Sequence, residues 1–197
     1  MFTISNTLVV AVVVVVIVVI IPILIIRSLA FFFRKPNNII YRPHETNVIR
    51  GPAFGRVMKI SQLPNDKLFI AIFLSPLDIH YQQAPISAGI KSVQYDSTGQ
   101  FSLAFNENKS KNNEKSIITF DTAYGDLIMY QIAGFIIRRI DTYVQKGDQE
   151  ISGNIIGLIK FGSRVDLIIP QASQFQLKVR EGEYINGSES IIGEYES

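Results

Sequence analysis

Leu8 to Ile26 reads LVVAVVVVVIVVIIPILII, without a charge or a hydrogen-bonding side chain. A helix over these residues, about 19 of them, spans roughly 28 Å, close to the ~30 Å hydrocarbon core of a bilayer. In water a series of Val and Ile favours strand. In lipid the backbone must satisfy its own hydrogen bonds, and helix wins. One transmembrane helix is therefore expected, bent at Pro22. A cleaved signal peptide is the rival reading, since Ser28-Leu29-Ala30 mimics a cleavage site. The run exceeds the usual apolar core of about 7–15 residues and no positive charge precedes it, so the anchor is preferred. Arg27, Arg34 and Lys35 follow the run. By the positive-inside rule they put the rest of the chain on the cytoplasmic side of the membrane.

The chain then divides into residues 1–35, an anchor with a basic flank, and residues 36–197, about the size of one domain. With no cysteine there are no disulfides and no thiolate chemistry. The only histidines are His44 and His80, too few for a usual zinc site, so no metal is expected. A net charge of +2 gives no argument for nucleic acid as a partner. The charge is uneven, however. Arg27, Arg34, Lys35, Arg42, Arg50, Arg56 and Lys59 crowd the first third, a pattern drawn to anionic lipid.

Short β-prone runs fill the domain: Phe69–Leu74, Ile117–Phe120, Asp126–Ile132, Ile155–Phe161, Val165–Ile169 and Phe175–Val179. Residues 64–66 (PND) and 96–99 (DSTG) read as turns, and 106–116 (NENKSKNNEKS) as a polar loop. Residues 133–143 fit a short helix or a strand. The class is mainly β, a single barrel- or sandwich-like domain. A weak internal repeat supports it. Residues 144–148 (VQKGD) precede Gly153 and an apolar run, and residues 179–183 (VREGE) precede Gly187 and another. These units resemble the hairpins of biotinyl/lipoyl-like domains, although no Met-Lys or Asp-Lys-Ala tip of the kind a carrier needs occurs, Lys67 after Asp66 being the nearest approach.

The most informative stretch is 157–170, GLIKFGSRVDLIIP. Other ordered blocks precede it: FLSPLDIH at 73–80, Ala84-Pro85, Gly89, Tyr95, Gly99, Phe101, Ala104, NNEK at 112–115, QIAG at 131–134, Arg138-Arg139-Ile140 and Gly147-Asp148. Together they resemble the short-form phosphatidylserine decarboxylase proenzymes over about residues 45–193.

That resemblance implies a carboxy-lyase of phospholipid biosynthesis that makes its own cofactor. The Ser163 hydroxyl would attack the Gly162 carbonyl. β-Elimination would then free the Gly162 carboxylate and leave a pyruvoyl group derived from Ser163. The substrate would be a membrane phospholipid, phosphatidylserine, converted to phosphatidylethanolamine. The pyruvoyl ketone would act as an electron sink for the carbanion left by CO₂. His80 is the implied proton donor, and Asp78, two residues away on the same face of a strand, would tune it. The two cleaved chains would stay associated. One position departs from the family pattern: Phe54 in GPAFGRV (51–57) stands where members carry an aspartate implicated in self-cleavage. Losing that carboxylate would slow maturation rather than forbid it, and another residue, such as Asp78 or Asp166, could substitute. The alternative is a family homologue that never matures and serves as a lipid-binding or interaction module.

Overall fold

The computed structural model describes residues 6–96, 113–134, 139–160 and 163–196. The chain forms two compact units, Met1–Arg34 and Lys35–Ser197. In the first, helix α1 (Asn6–Val15) continues through a π-helical segment (Val16–Ile20) into α2 (Ile21–Phe32). Val9–Phe32 is long and apolar enough to cross a membrane. The mark of Pro22 is the π segment just before it. Proline lacks an N–H, and its ring crowds the carbonyl four residues back. One residue earlier, the Ile21 N–H bonds to Val16 O, closing a wider turn. After the helix, the Arg34 guanidinium lies 3.8 Å over the Phe31 ring and donates to Phe31 O at 2.7 Å.

The second unit is mainly β, as the sequence leads one to expect. Its strands are β1 (Val48–Arg50), β2 (Phe54–Leu63), β3 (Lys67–Leu74), β4 (Tyr81–Gln83), β5 (Ala88–Asp96), β6 (Lys115–Thr122), β7 (Gly125–Ile132), β8 (Ile140–Thr142), β9 (Gln149–Glu150), β10 (Ile155–Ile159), β11 (Ser163–Ile169), β12 (Phe175–Leu177), β13 (Tyr184–Asn186) and β14 (Ile191–Tyr195). An eight-stranded antiparallel sheet runs in the order β13-β2-β3-β11-β7-β6-β5-β9 and curls into a half barrel. Two three-stranded sheets, β1-β14-β12 and β4-β10-β8, complete the unit.

Burial follows position in the sheet. β6 buries Ser116, Ile118 and Phe120 in strict alternation, as a strand with one face on the core does. β11, flanked by β3 and β7, is buried along nearly its whole length. At the β2–β3 turn, Asn65 and Asp66 take positive φ values of 61° and 53°, a conformation these residue types tolerate.

The internal repeat is real. Gly147 and Gly182 adopt φ of 96° and 84° in two equivalent turns. In the first, Gln145 N–H donates to Asp148 Oδ2 (2.8 Å); in the second, Arg180 N–H donates to Glu183 Oε2 (3.2 Å). Two expectations need correcting. Lys115 and Ser116, read as loop, begin β6, and Asp96, read as the start of a turn, ends β5. In 133–143, where the sequence leaves helix and strand open, the described residues hold strand β8. The remainders of those two polar segments, 97–99 and 106–112, lie outside the described residues.

Candidate active site

Ser163 opens β11 and pairs with Leu74, the last residue of β3. On the other flank, pairing with β7 begins only at Arg164, opposite Ile132. β10 precedes Ser163 but belongs to a different sheet. The expected cleavage junction therefore falls where the chain crosses between sheets. Of its two residues, Ser163 is described and Gly162 lies outside the described residues.

Residues 75–80 link β3 to β4, and both ends of this loop are tied to the junction. Leu74 pairs with Ser163, while the His80 carbonyl accepts from Ile159 N–H at 3.1 Å, at the end of β10. Cross-strand neighbours lie about 4.5–5.5 Å apart at Cα. The fold thus draws Ser163 and His80 to opposite ends of one short loop.

Both residues have no solvent exposure. Ser163 Oγ has no hydrogen-bond partner among the described residues. His80 Nδ1 lies 2.9 Å from Asp78 O. A carbonyl only accepts, so Nδ1 carries the proton and Nε2 is the basic nitrogen of the neutral ring.

Asp78 reaches His80 differently from the sequence expectation. Residues 78–80 are not strand, so the two side chains share no strand face. Contact with the imidazole comes from the Asp78 main-chain oxygen. Its carboxylate fixes the loop instead: Oδ2 accepts from Ser75 N–H (2.7 Å) and Oδ1 from the Tyr184 hydroxyl (2.8 Å). Asp166 is also placed unlike the expectation. Strand alternation puts it with Arg164 on the face of β11 opposite Ser163. There Arg164 Nε lies 2.8 Å from Asp166 Oδ1, and Nη2 donates to Oδ2 at 2.9 Å. That face borders a cavity of about 360 Å³ which also includes Lys59, Phe69, Lys115 and Tyr130. Burial and the nearby Asp166 charge push the Tyr130 phenol pKa up.

Phe54 opens β2, paired with Asn186 of β13. With Ile79, the residue before His80, it lines a cavity of about 180 Å³. Position 54 thus abuts the histidine loop, and its phenyl ring offers neither acid nor base.

Sequence reasoning missed a buried polar chain behind His80. Gln82 Nε2 donates to His80 O, and Gln131 Nε2 donates to Gln82 Oε1 at 3.0 Å. Thr142 Oγ1 lies 3.0 Å from Gln131 Oε1 and 2.8 Å from Ser116 Oγ. Thr142 has one proton, so it donates to the amide oxygen and accepts from Ser116. Gln82, Gln131 and Ser116 are fully buried. The glycine at 157 makes room, because a Cβ there would fall 2.3 Å from Gln131 Nε2. The available signal was a glutamine inside the apolar run of β7. Gln83, by contrast, braces the backbone, bonding Gly153 O (3.2 Å) and Ser188 N–H (2.8 Å).

A family model described as phosphatidylserine decarboxylase matches residues 29–193. A phosphatidylserine decarboxylase proenzyme of Amoebophilus asiaticus is 34% identical over 176 residues, which cover 86% of this chain and 76% of that protein. A putative archaetidylserine decarboxylase proenzyme of Methanopyrus kandleri is 34% identical over 178 residues, 83% of this chain and 80% of that protein. A phosphatidylserine decarboxylase proenzyme of Streptomyces avermitilis is 40% identical over 152 residues, 77% and 68% of the two chains. Proenzymes of this kind depend on a pyruvoyl group. Ser163 fits that chemistry. A buried hydroxyl left without a partner costs about 1–3 kcal/mol, and such a group in a native structure calls for an explanation, a catalytic role among them. Conversion to a ketone would also remove the unmatched donor. From residue 29 to 193, in its blocks and in the serine at its sheet crossing, the chain belongs to the phosphatidylserine decarboxylase family.

Proposed function

We propose that this chain is a membrane-anchored proenzyme that cleaves itself between Gly162 and Ser163 and then decarboxylates the serine head group of a phospholipid, phosphatidylserine, to give phosphatidylethanolamine. The observation that carries this reading is Ser163: a buried hydroxyl with no partner among the described residues, at a crossing that the His80 loop spans. Relatives named for phosphatidylserine and for archaetidylserine have the serine head group in common, which supports recognition at that end of the lipid.

In maturation the Ser163 oxygen attacks the Gly162 carbonyl carbon, and the peptide nitrogen leaves as an amine, giving an ester. Loss of the Ser163 Cα proton and cleavage of its Cβ–O bond release the Gly162 carboxylate. The resulting dehydroalanine takes up water and loses ammonia, leaving the pyruvoyl group. Once formed, that group supplies a carbonyl able to accept the electrons freed by loss of CO₂. His80 Nε2, basic while Nδ1 is held by the Asp78 carbonyl, takes up a proton from the medium and delivers it to the substrate carbon that lost CO₂, a step commonly worth about 10²–10⁴-fold. Asp78 is a positioning residue: through Ser75 and Tyr184 it holds the loop, and its carbonyl sets the His80 tautomer.

The two products stay together because strands 163–197 are woven into those before them. β11 pairs with β3 and β7, β13 with β2, and β14 with β1. Arg27, Arg34 and Lys35 support a cytoplasmic position for the folded unit; its digestion by protease outside intact cells would reverse that orientation. A second reading, a homologue that never matures and acts as a lipid-binding or interaction module, draws on Phe54 beside the histidine loop.

Vesicles of phosphatidylserine labelled at the serine carboxyl carbon test the proposal. The chain should release labelled CO₂, and Ser163→Ala should release none. Equal background from both defeats the decarboxylase reading.

A further inference from the structure

We propose that the loop carrying His80 is also the surface by which the folded unit docks on a lipid bilayer, with Leu77 as its inserted side chain. The inference rests on the lipid-substrate reading above and adds where the unit meets the lipid.

Leu77 is 71% exposed, more than any other large hydrophobic residue described in Lys35–Ser197. Its outward position is built in. Leu77 N–H donates to Ser75 Oγ (3.3 Å), Asp78 N–H donates to Ser75 O (2.9 Å), and the Asp78 carboxylate binds Ser75 N–H and the Tyr184 hydroxyl. A tight turn therefore holds an apolar side chain away from the core.

One exposed leucine is ordinary; its company and place are what distinguish this one. Tyr184, 46% exposed, is joined to the turn through Asp78. Arg56 faces Tyr184 across the β2–β13 pair and is exposed. The neighbouring Glu181 and Glu183 turn their carboxylates onto the N–H groups of Ile60 and Arg180. Beyond His80, Tyr81 lies near enough to Tyr143, itself 52% exposed, to raise the Tyr143 phenol pKa after the larger effect of burial. Leucine, tyrosines and an arginine around one loop make the composition of a membrane–water interface. Because both ends of this loop are tied to the strands around Ser163, docking here would bring the reacting serine's crossing to the lipid that carries the substrate.

The chain contains no tryptophan, so Leu77→Trp introduces a single indole. The full chain would be reconstituted into vesicles of phosphatidylcholine and phosphatidylglycerol, with and without acyl-brominated lipid. Lys146→Trp is the reference, since Lys146 is exposed in the turn before β9, at the opposite edge of the eight-stranded sheet from β13. The indole at 77 should be blue-shifted and quenched several-fold more by brominated lipid than the one at 146. Equal, water-like emission at both positions overturns the proposal. A blue shift at 77 without lipid quenching marks a protein partner and overturns it too. The readout needs no turnover: water-like emission beside full CO₂ release defeats docking alone, and quenching without CO₂ release defeats the enzyme reading alone.

Discussion

Asp166→Ala would leave the Arg164 guanidinium buried without the carboxylate now 2.8 Å from its Nε. The two side chains are only 3% and 6% exposed, so solvent reaches the guanidinium only by way of the cavity beside it. Breaking a buried pair by removing one partner costs about 3–5 kcal/mol, a large share of the roughly 5–15 kcal/mol that holds a domain together. With a urea m-value of about 1–3 kcal/mol/M, the unfolding midpoint should fall by more than about 1 M. The assay is urea unfolding of the full chain in nonionic detergent, followed by circular dichroism in the β-sheet region. The double variant Arg164→Met with Asp166→Leu separates the pair's net worth from the penalty of removing one partner alone. It should recover most of the loss, because well-packed apolar replacements of buried pairs are often neutral. A single variant within about 1 kcal/mol of the parent, or a double variant as weak as the single, would refute the reasoning.

Three further outcomes follow from the site and its surroundings. His80→Ala should lower decarboxylation by about 10²–10⁴-fold, and near-normal turnover would remove His80 from the mechanism. Gln131→Leu strands the Gln82 amide and the Thr142 hydroxyl in the interior, and should cost about 1–3 kcal/mol in the same urea assay. Burial, then the hydrogen bond to Glu114, pushes the Tyr95 phenol from 10.0 to about 12. A raised folded-state pKa gives stability that is complete below pH 10 and is lost as pH rises toward 12. Tyr95→Phe should therefore flatten the alkaline decline in urea midpoint, and an unchanged decline would remove Tyr95 as its source.

Strands with apolar, β-branched runs were legible: β3, β7, β10 and β11 fall where Phe69–Leu74, Asp126–Ile132, Ile155–Phe161 and Val165–Ile169 predict them, as far as those residues are described. β2 and β5 were hidden because each carries an irregularity in register, between Val57 and Lys59 and between Ile90 and Ser92, that breaks the period of two. Ser116 reads as loop in a polar segment, yet it is buried because Thr142, far along the chain, receives its hydroxyl. The family blocks pointed to Ser163 and His80, and the fold brings them to one loop. They could not show which way Asp78 faces. Its carboxylate is held by Tyr184, 106 residues away, and no local pattern encodes that partner. Asp166 is the converse case. Alternation along β11 already puts it opposite Ser163, and that period was available in the sequence.

The central claim is that the chain builds its reactive group from Ser163, and the mass of the purified, denatured protein tests it most directly. The account predicts two species, residues 1–162 and residues 163–197. The smaller should be blocked at its N-terminus and reactive toward carbonyl reagents. Their summed mass should differ from that of the intact chain only by the water gained and the ammonia lost. Ser163→Ala should run as one uncut chain. A parent protein recovered solely as the intact 22.1 kDa chain, with no carbonyl-reactive terminus, would contradict the account.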